Sequence, residues 1–296
     1  MDEAVWVEEL HKDFPGQRAA LAGVSLSVRL SQSVAIVGPN GSGKSTLFKT
    51  IVGLIEPSAG QVRLFGQPLT GAGRRGLDRT GLVLEGRANL YERLSIQENC
   101  DYACRLRGKR ADRRYMQTLA EQLGLGELQR PVRRLSTGNR QRAALLCALA
   151  HRPDLIMLDE PTLGLDVESI LALQTLLKNE QQRGASVLSI SHDAGFVAAT
   201  ADRVIGMQAG RWAFERTGTT AATAIERFRL TVEAIHPLPS SVTAALDRED
   251  TFAGQLNQLQ ALARIYPDLR HARIDAVGSP MAADVASPIL GTEVTQ

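Results

Sequence analysis

Residues 38–46 read GPNGSGKST, a glycine-rich run that ends in Lys-Ser-Thr. Its glycines let successive backbone amides turn inward around phosphate oxygens, Lys44 brings a positive charge to the β and γ phosphates, and Ser45 offers a hydroxyl to magnesium. Residues 34–37 predict a buried strand before the loop, and residues 44–55 predict a helix after it. This context predicts a phosphate-binding loop for ATP and Mg²⁺. The predicted nucleotide contacts are Gly38, Pro39, Asn40, Gly41, Ser42, Gly43, Lys44, Ser45 and Thr46.

The composition limits the class of protein. The 296 residues are 44% hydrophobic, which suits one large domain or one domain with an appendage. A net charge of +2, from 34 basic and 32 acidic residues, gives no strong field, so no nucleic-acid partner is expected. The longest apolar run, residues 143–150, is far shorter than the roughly 18 to 20 residues that cross a bilayer. The N-terminus is acidic, so neither a membrane span nor an export signal is expected.

The three cysteines, Cys100, Cys104 and Cys147, form no CxxC pair and no disulfide framework. Reduced thiols in a cytosolic protein are therefore predicted. Metal binding through Cys100 and Cys104 is the disfavoured alternative, because no histidine lies near them in the sequence.

The rest of the first two thirds shows three patterns. Residues 24–30 alternate apolar and polar side chains, which predicts half-buried antiparallel strands. Residues 89–150 are rich in Leu, Ala, Arg, Gln and Glu and predict an inserted helical subdomain of three or more helices. Residues 154–158, 186–190 and 203–207 are short apolar strands between helical stretches, the rhythm of a parallel sheet.

A second unit follows the core. Residues 1–216 are predicted as the main domain and residues 217–296 as a C-terminal extension that begins with a Gly, Thr and Ala-rich linker. Strands are predicted at residues 227–235 and 272–277, and a mobile tail from residue 278. A helix between these strands is predicted from Leu256, Leu259 and Leu262.

Two further segments contain candidate functional residues. LIMLDE, residues 155–160, ends an apolar strand in Asp159, which would hold magnesium, and Glu160, which would polarise the attacking water. In LSTGNRQR, residues 135–142, Ser136 can cap a helix and Gly138 lets the backbone approach a ligand. Taken alone, the first could be an ordinary acidic turn and the second an ordinary capped helix.

Five motifs in one order, GPNGSGKST, LSTGN, LIMLDE, LGLD at residues 163–166 and SISH at residues 189–192, resemble the ATP-binding subunit of an ABC transporter. The resemblance covers about residues 4–215. It implies an α/β fold: a P-loop NTPase core with an antiparallel β subdomain and an inserted α-helical subdomain. The residues beyond it would form a small α+β extension.

The resemblance also implies roles for single residues. Phe14 would stack on adenine, and His192 would reach the γ phosphate and act with Lys44 and Glu160 in catalysis. Two copies would sandwich ATP head to tail, so that Ser136 and Gly138 act on the nucleotide of the partner copy. Asp166 would connect the two sites. Taken alone, Phe14 could be a core aromatic and His192 a satisfied strand-end histidine.

Three positions depart from the family pattern. Glu85 stands where a magnesium-contacting glutamine is usual, and its carboxylate could still meet magnesium or water. Thr137 replaces a glycine and Asn139 a glutamine in the signature segment of the family, which the LSTGN motif at residues 135–139 resembles. Retained ATP binding is expected, with the hydrolysis rate left open.

The implied partner is an integral membrane permease that holds the chain at the inner face of the cell membrane. Residues 89–99 (NLYERLSIQEN) match the region that receives a coupling helix from the permease. This string, Glu85 and the extension point to the exporter branch. The rival interpretations are a soluble non-transport ATPase, disfavoured because no long coiled coil separates the phosphate loop from the signature, and a regulatory ATP-binding module, disfavoured by intact Lys44, Glu160 and His192.

Overall fold

A computed structural model describes residues 3–16, 19–69, 76–85 and 90–217, together with the backbone of residues 228–234 and 269–276. The chain divides into two compact units, Met1–Gly218 and Thr219–Gln296. The strands of the first unit are β1 (Glu3–Lys12), β2 (Leu21–Arg29), β3 (Ser33–Val37), β4 (Ala59–Leu64), β5 (Gln67–Pro68), β6 (Thr80–Val83), β7 (Leu155–Asp159), β8 (Ser186–Ile190), β9 (Arg203–Gln208) and β10 (Arg211–Thr217). Its α-helices are α1 (Lys44–Ile51), α2 (Ile96–Leu106), α3 (Arg113–Gln122), α4 (Thr137–Leu149), α5 (Val167–Gln182) and α6 (Ala194–Thr200).

The first sheet is antiparallel, with strand order β2-β1-β4-β5. Val24, Leu26 and Val28 are buried as the period-two pattern predicts, because alternate side chains of a strand point to one face. Leu30, the last apolar position of that pattern, lies beyond the end of β2 and is 43% exposed. Its predicted place on the buried face was therefore wrong.

The second sheet has the order β10-β9-β3-β8-β7-β6. Its pairings from β6 to β9 are parallel, and β10 adds an antiparallel edge. Every residue of β7 and β8 is buried, as in sheets covered on both faces. The phosphate loop follows β3, the acidic pair ends β7 and His192 follows β8. Because parallel strands end at one edge, the sheet brings these segments together.

The helix after the phosphate loop is shorter than predicted. It ends at Ile51 instead of residue 55, because Gly53 turns the chain with φ 72° and the Leu54 amide donates back to the Lys49 carbonyl at 2.8 Å. A glycine in the left-handed region just past the last turn is a common helix stop.

Between β6 and β7 the chain forms the helical subdomain, made of α2, α3, a short 3₁₀ turn (Val132–Arg134) and α4. Each helix has a side-chain N-cap: Ser95 with Glu98 in a capping box for α2, Asp112 for α3 and Ser136 for α4. The prediction of an inserted helical subdomain of three or more helices is confirmed by these elements.

In the second unit, β11 (Phe228–Ala234) pairs with β12 (Leu269–Ala276) in an antiparallel ribbon. These strands lie close to the predicted ranges 227–235 and 272–277. The predicted helix of Leu256, Leu259 and Leu262, and the predicted tail from residue 278, lie outside the described residues.

A buried histidine, His151, follows α4 and makes the stability of the fold decrease in acid. His151 is 4% exposed, and burial, reinforced by the charges of Arg107 and Lys109, lowers its pKa to about 3. The unfolded chain therefore takes up this proton first as the pH falls below about 6.5. The stability that a neutral His151 maintains at pH 7 is lost progressively as the pH falls from about 6.5 towards 3.

We expect His151→Gln to reduce the loss of unfolding free energy between pH 7 and pH 4.5 by about 2 to 3 kcal/mol. Urea unfolding at the two pH values measures this difference. Between about pH 7.5 and pH 8.5, where His151 is almost entirely neutral in both the folded and the unfolded chain, the parent and His151→Gln should change equally, which is the internal control. Equal losses for the parent and His151→Gln would show that His151 does not titrate in this way.

Candidate nucleotide site

The phosphate loop is packed too tightly for side chains at two of its glycines. A Cβ atom at Gly38 would lie 2.1 Å from the Met207 carbonyl oxygen, and one at Gly43 would lie 2.4 Å from the Ala20 carbonyl oxygen. Gly43, with φ 106°, is also the N-cap of α1. The loop therefore presents its backbone amides at the start of a helix, where an anion is favoured.

Lys44 is fixed within this loop. Its ammonium group donates to the carbonyl oxygens of Gly38 at 2.7 Å and of Pro39 at 2.9 Å. Burial lowers its pKa, while the carboxylates of Glu160 and Asp159, and Glu85 more weakly, raise it. Lys44 is thus a buried cation facing three carboxylates.

Asp159, at the end of β7, is almost fully buried. Burial and the neighbouring Glu85 carboxylate raise its pKa, whereas the Glu85 backbone, Lys49 and the Ser45 hydroxyl lower it. Ser45, Glu85 and Asp159 are the three predicted metal-binding residues. They lie so close together that Ser45 and Glu85 both shift the pKa of Asp159.

Glu160 follows β7 in a strained position. Its φ is 50°, uncommon for a residue with a side chain, and its amide donates to the Ile190 carbonyl at 2.9 Å. The His192 amide donates to Glu160 Oε2 at 3.3 Å, and His192 Nε2 lies 3.2 Å from Glu160 Oε1. This second contact lacks hydrogen-bond geometry, so Oε1 has no hydrogen-bond partner in the described part of the chain.

The environment of Glu160 suits a general base. Burial raises its pKa to about 7, with a further rise from Asp159, while the His192 amide and Lys44 oppose the shift. Burial and the Lys44 charge lower the pKa of His192, which favours its neutral form. A carboxylate with a pKa near neutrality accepts a proton more readily than an ordinary glutamate.

The donor set fits Mg²⁺. Asp159 Oδ1, Glu160 Oε1 and Ser42 Oγ are buried without hydrogen-bond partners among the described residues. Within those residues no group of three or more His, Cys, Asp and Glu side chains forms a metal cage. Mg²⁺ commonly takes one or two protein oxygens and completes its shell with water and substrate phosphate. Ser45 and Asp159, with Glu85 nearby, provide such a partial set.

The signature segment at the start of α4 lies against the LGLD motif at residues 163–166. Ser136 Oγ accepts a hydrogen bond from the Asn139 amide at 3.3 Å, and a Cβ at Gly138 would lie 3.2 Å from the Gly164 carbonyl oxygen. Asp166, the N-cap of α5, also accepts from Arg142 of α4 at 2.8 Å. No local pattern of the sequence predicts a role for Arg142, because this contact joins residues 24 positions apart.

Phe14 is half-buried in the segment after β1, with Lys12 Nζ 5.2 Å from the centre of its ring. This contact is a cation–π interaction. Adenine stacking by Phe14 stays a prediction.

Comparisons with known proteins agree with this geometry. The family model described as ABC transporter matches residues 21–163. The cobalt import ATP-binding protein CbiO of Rhodobacter capsulatus is 36% identical over 249 residues, which are 81% of this chain and 87% of that protein.

Two solved structures share the fold. The cbiO1 structure from Clostridium perfringens, described as part of the ABC transporter complex cbiONQ, is 27% identical with a TM-score of 0.63, over 73% of this chain and 89% of that one. The dimeric post-hydrolysis structure of the ATP-binding cassette MJ0796 bound to ADP and Pi is 26% identical with a TM-score of 0.63, over 72% of this chain and 98% of that one.

This chain belongs to the ABC transporter family as one of its ATP-binding, ATP-hydrolysing subunits. The predicted P-loop NTPase fold, with its antiparallel and helical subdomains, is confirmed.

Proposed function

We propose that this chain hydrolyses ATP to drive transport through a separate membrane permease, and that two copies act together. One observation carries the proposal: Lys44, Asp159, Glu160 and His192 meet at one edge of the parallel sheet, close enough to shift one another's pKa values. In a member of this family, that arrangement suits hydrolysis of a bound nucleotide.

Each of these residues has a proposed task. The phosphate loop and Phe14 bind the nucleotide, and Lys44 turns from the loop carbonyls to the β and γ phosphates. Glu160 accepts a proton from water, and His192 positions that water beside the γ phosphate. Ser45 and Asp159, with Glu85, would hold Mg²⁺, which offsets phosphate charge when bound.

A second copy of the chain completes each nucleotide site in the proposal. Ser136 and Gly138 lie at the start of α4, where free amides can meet the γ phosphate held by the partner copy. Leu163 and Val167 beside Asp166, and Leu171 one turn further along α5, are 62%, 75% and 56% exposed. Such apolar exposure suits a contact surface. The MJ0796 cassette, which is described as dimeric and bound to ADP and Pi, supports an assembly of two copies.

The comparisons do not support the exporter branch predicted from the sequence, since the CbiO relative is named for import. The proposed function therefore specifies transport and not its direction.

Two rival functions are disfavoured. The segment between β6 and β7 is a compact helical bundle, unlike a coiled-coil ATPase, and the catalytic cluster is intact, unlike a purely regulatory module.

The proposed domain limits are residues 1–216 for the ATP-binding domain, with residues 89–150 as its helical subdomain, and residues 217–296 for the extension. We assign no chemistry to the extension. None of the described helices is long and apolar enough to span a membrane. The proposed location at the inner face of the cell membrane therefore depends on a permease.

An exposed aromatic and apolar surface marks the proposed permease contact. Tyr91, Tyr102 and Leu106 are 52%, 41% and 64% exposed, and the two tyrosine rings stack edge to face at 4.9 Å. We expect Leu106→Asp to abolish retention of the tagged full-length chain on washed membranes of the source cell, because a carboxylate cannot be buried in an apolar contact.

ATP turnover by the free Leu106→Asp chain should match the parent, because Leu106 lies outside the nucleotide site. Leu54→Asp, at a site 61% exposed after α1, is the control and should be retained. Equal retention of the parent and Leu106→Asp would remove this surface from the proposal. A parent chain that never binds the membranes would count against the permease itself.

A further inference from the structure

Two thiols face each other in the core of the helical subdomain. Cys100 Sγ of α2 and Cys147 Sγ of α4 are 3.0 Å apart. Cys100 is fully buried and Cys147 is 7% exposed. A covalent S–S bond measures about 2.05 Å, so a shift of roughly 1 Å would bring the sulfur atoms to bonding distance. All three cysteines are free thiols in the structure.

We infer that Cys100 and Cys147 form a site of oxidative modification, at which a disulfide joins α2 to α4. The inference is independent of the proposed transport function. Cys104, one turn further along α2, provides an internal comparison. It is equally buried, but in the described residues only Cys100 makes a close sulfur–sulfur contact with Cys147.

The oxidant would be a small neutral peroxide. The Cys147 thiolate attacks one peroxide oxygen and breaks the O–O bond, giving a sulfenic acid and hydroxide. The Cys100 thiolate then attacks the Cys147 sulfur and displaces the second hydroxide, which forms the S–S bond. In total, two thiols and one hydrogen peroxide yield one disulfide and two waters, with two electrons passing from sulfur to oxygen.

The surroundings make this reaction slow and pH-dependent. The hydrogen bond with Cys100, and burial, raise the pKa of Cys147 well above its ordinary value. Burial raises the pKa of Cys104 to about 11. The reactive thiolate therefore forms only when α2 and α4 part locally, and the rate should increase with pH. The buried pair would respond to sustained oxidation and not to a brief pulse.

The product would constrain the segment that carries the signature. The ring closed by residues 100 and 147 contains α3, the 3₁₀ turn and Ser136. Closing a loop of this length restricts the unfolded chain more than the folded one. Oxidation should therefore raise the midpoint of thermal unfolding of the full chain, by about 5 °C or more.

Peptide mapping tests the inference directly. The full chain is treated with hydrogen peroxide at pH 8, its remaining thiols are alkylated, and it is digested with trypsin without reduction. We expect a species that joins residues 94–105 to residues 143–178 and is removed by dithiothreitol. Its mass should be that of the two peptides minus two hydrogens, plus one alkyl group on Cys104. Only sulfinic or sulfonic acids, or three alkylated thiols, would overturn the inference.

Residues 94–105 contain both Cys100 and Cys104, so variants must identify the sulfur. Cys104→Ala should keep the cross-linked species, and Cys100→Ala should lose it. Cross-linking that persists in Cys100→Ala would overturn the assignment.

The thermal midpoint separates a cross-link in the folded chain from one formed after unfolding. The oxidised parent and Cys104→Ala should both gain the increase and lose it on reduction, whereas Cys147→Ala should show none. A cross-linked parent whose midpoint is unchanged or lower would show that the pair does not bond within the native fold.

Discussion

Replacing Glu160 by glutamine is expected to lower ATP turnover at least about 100-fold, while ATP binding stays within about twofold of the parent. Glutamine keeps the size of the side chain and its acceptor for the His192 amide, but it cannot accept a proton from water. The phosphate loop and Lys44 are unchanged, so the nucleotide still binds. Phosphate release and titration with a fluorescent ATP analogue measure the two quantities.

The matched control is Glu121→Gln, which removes an exposed carboxylate from α3. Its turnover should equal that of the parent, because Glu121 lies outside both the catalytic cluster and the proposed contact between copies. Parental turnover in Glu160→Gln would remove Glu160 from its role as the base. Loss of ATP binding in that variant would show that its effect begins before catalysis.

Replacing Ser136 by aspartate is expected to lower turnover by a similar factor, about 100-fold or more, for a different reason. Aspartate caps a helix as well as serine does, so α4 keeps its N-cap. Its charge, however, would face the γ phosphate held by the partner copy and repel it. The ATP-dependent dimer should therefore be lost, while a single copy still binds ATP through its own loop.

Ser136→Asn separates charge from shape, since asparagine is a good N-cap without a charge. It should retain more turnover than Ser136→Asp at every ATP concentration. Lys44→Ala should lose ATP binding by the single copy, whereas Ser136→Asp should keep that binding and lose the ATP-dependent dimer. If Ser136→Asp also lost ATP binding by the monomer, the signature would act within one copy, against the proposed arrangement.

Features of the site that depend only on residues close together in the sequence could be predicted. The glycines around Lys44 determine a loop whatever surrounds it, and buried strands such as β7 and β8 appear as short apolar runs. The helix cap at Ser136 was also predicted, because a cap depends on residues two or three positions away. The cap that Asp166 makes for α5 was not predicted.

Features that depend on contacts between distant segments could not be predicted. The φ of 50° at Glu160 depends on how its amide meets the Ile190 carbonyl across the sheet. The Arg142–Asp166 ion pair and the Cys100–Cys147 contact join residues of different helices. No local sequence pattern predicts such contacts, because the partners lie far apart in the sequence. Leu30 was misplaced because alternation continued for one apolar residue after β2 had ended.

The exporter assignment failed for a related reason. It depended on Glu85, the string at residues 89–99 and the extension, none of which has a physical link to the direction of transport. The cluster around Lys44 and Glu160 can serve either direction, since ATP hydrolysis is the same reaction in both.

The most direct test of the account is the molar mass of Glu160→Gln by light scattering, with and without ATP and magnesium. We expect a monomer of 32.0 kDa without ATP and about twice that mass with it, because the nucleotide joins two copies that cannot complete hydrolysis. Adding Lys44→Ala to the same chain should restore the monomer. A chain that is saturated with ATP and still monomeric would contradict the account.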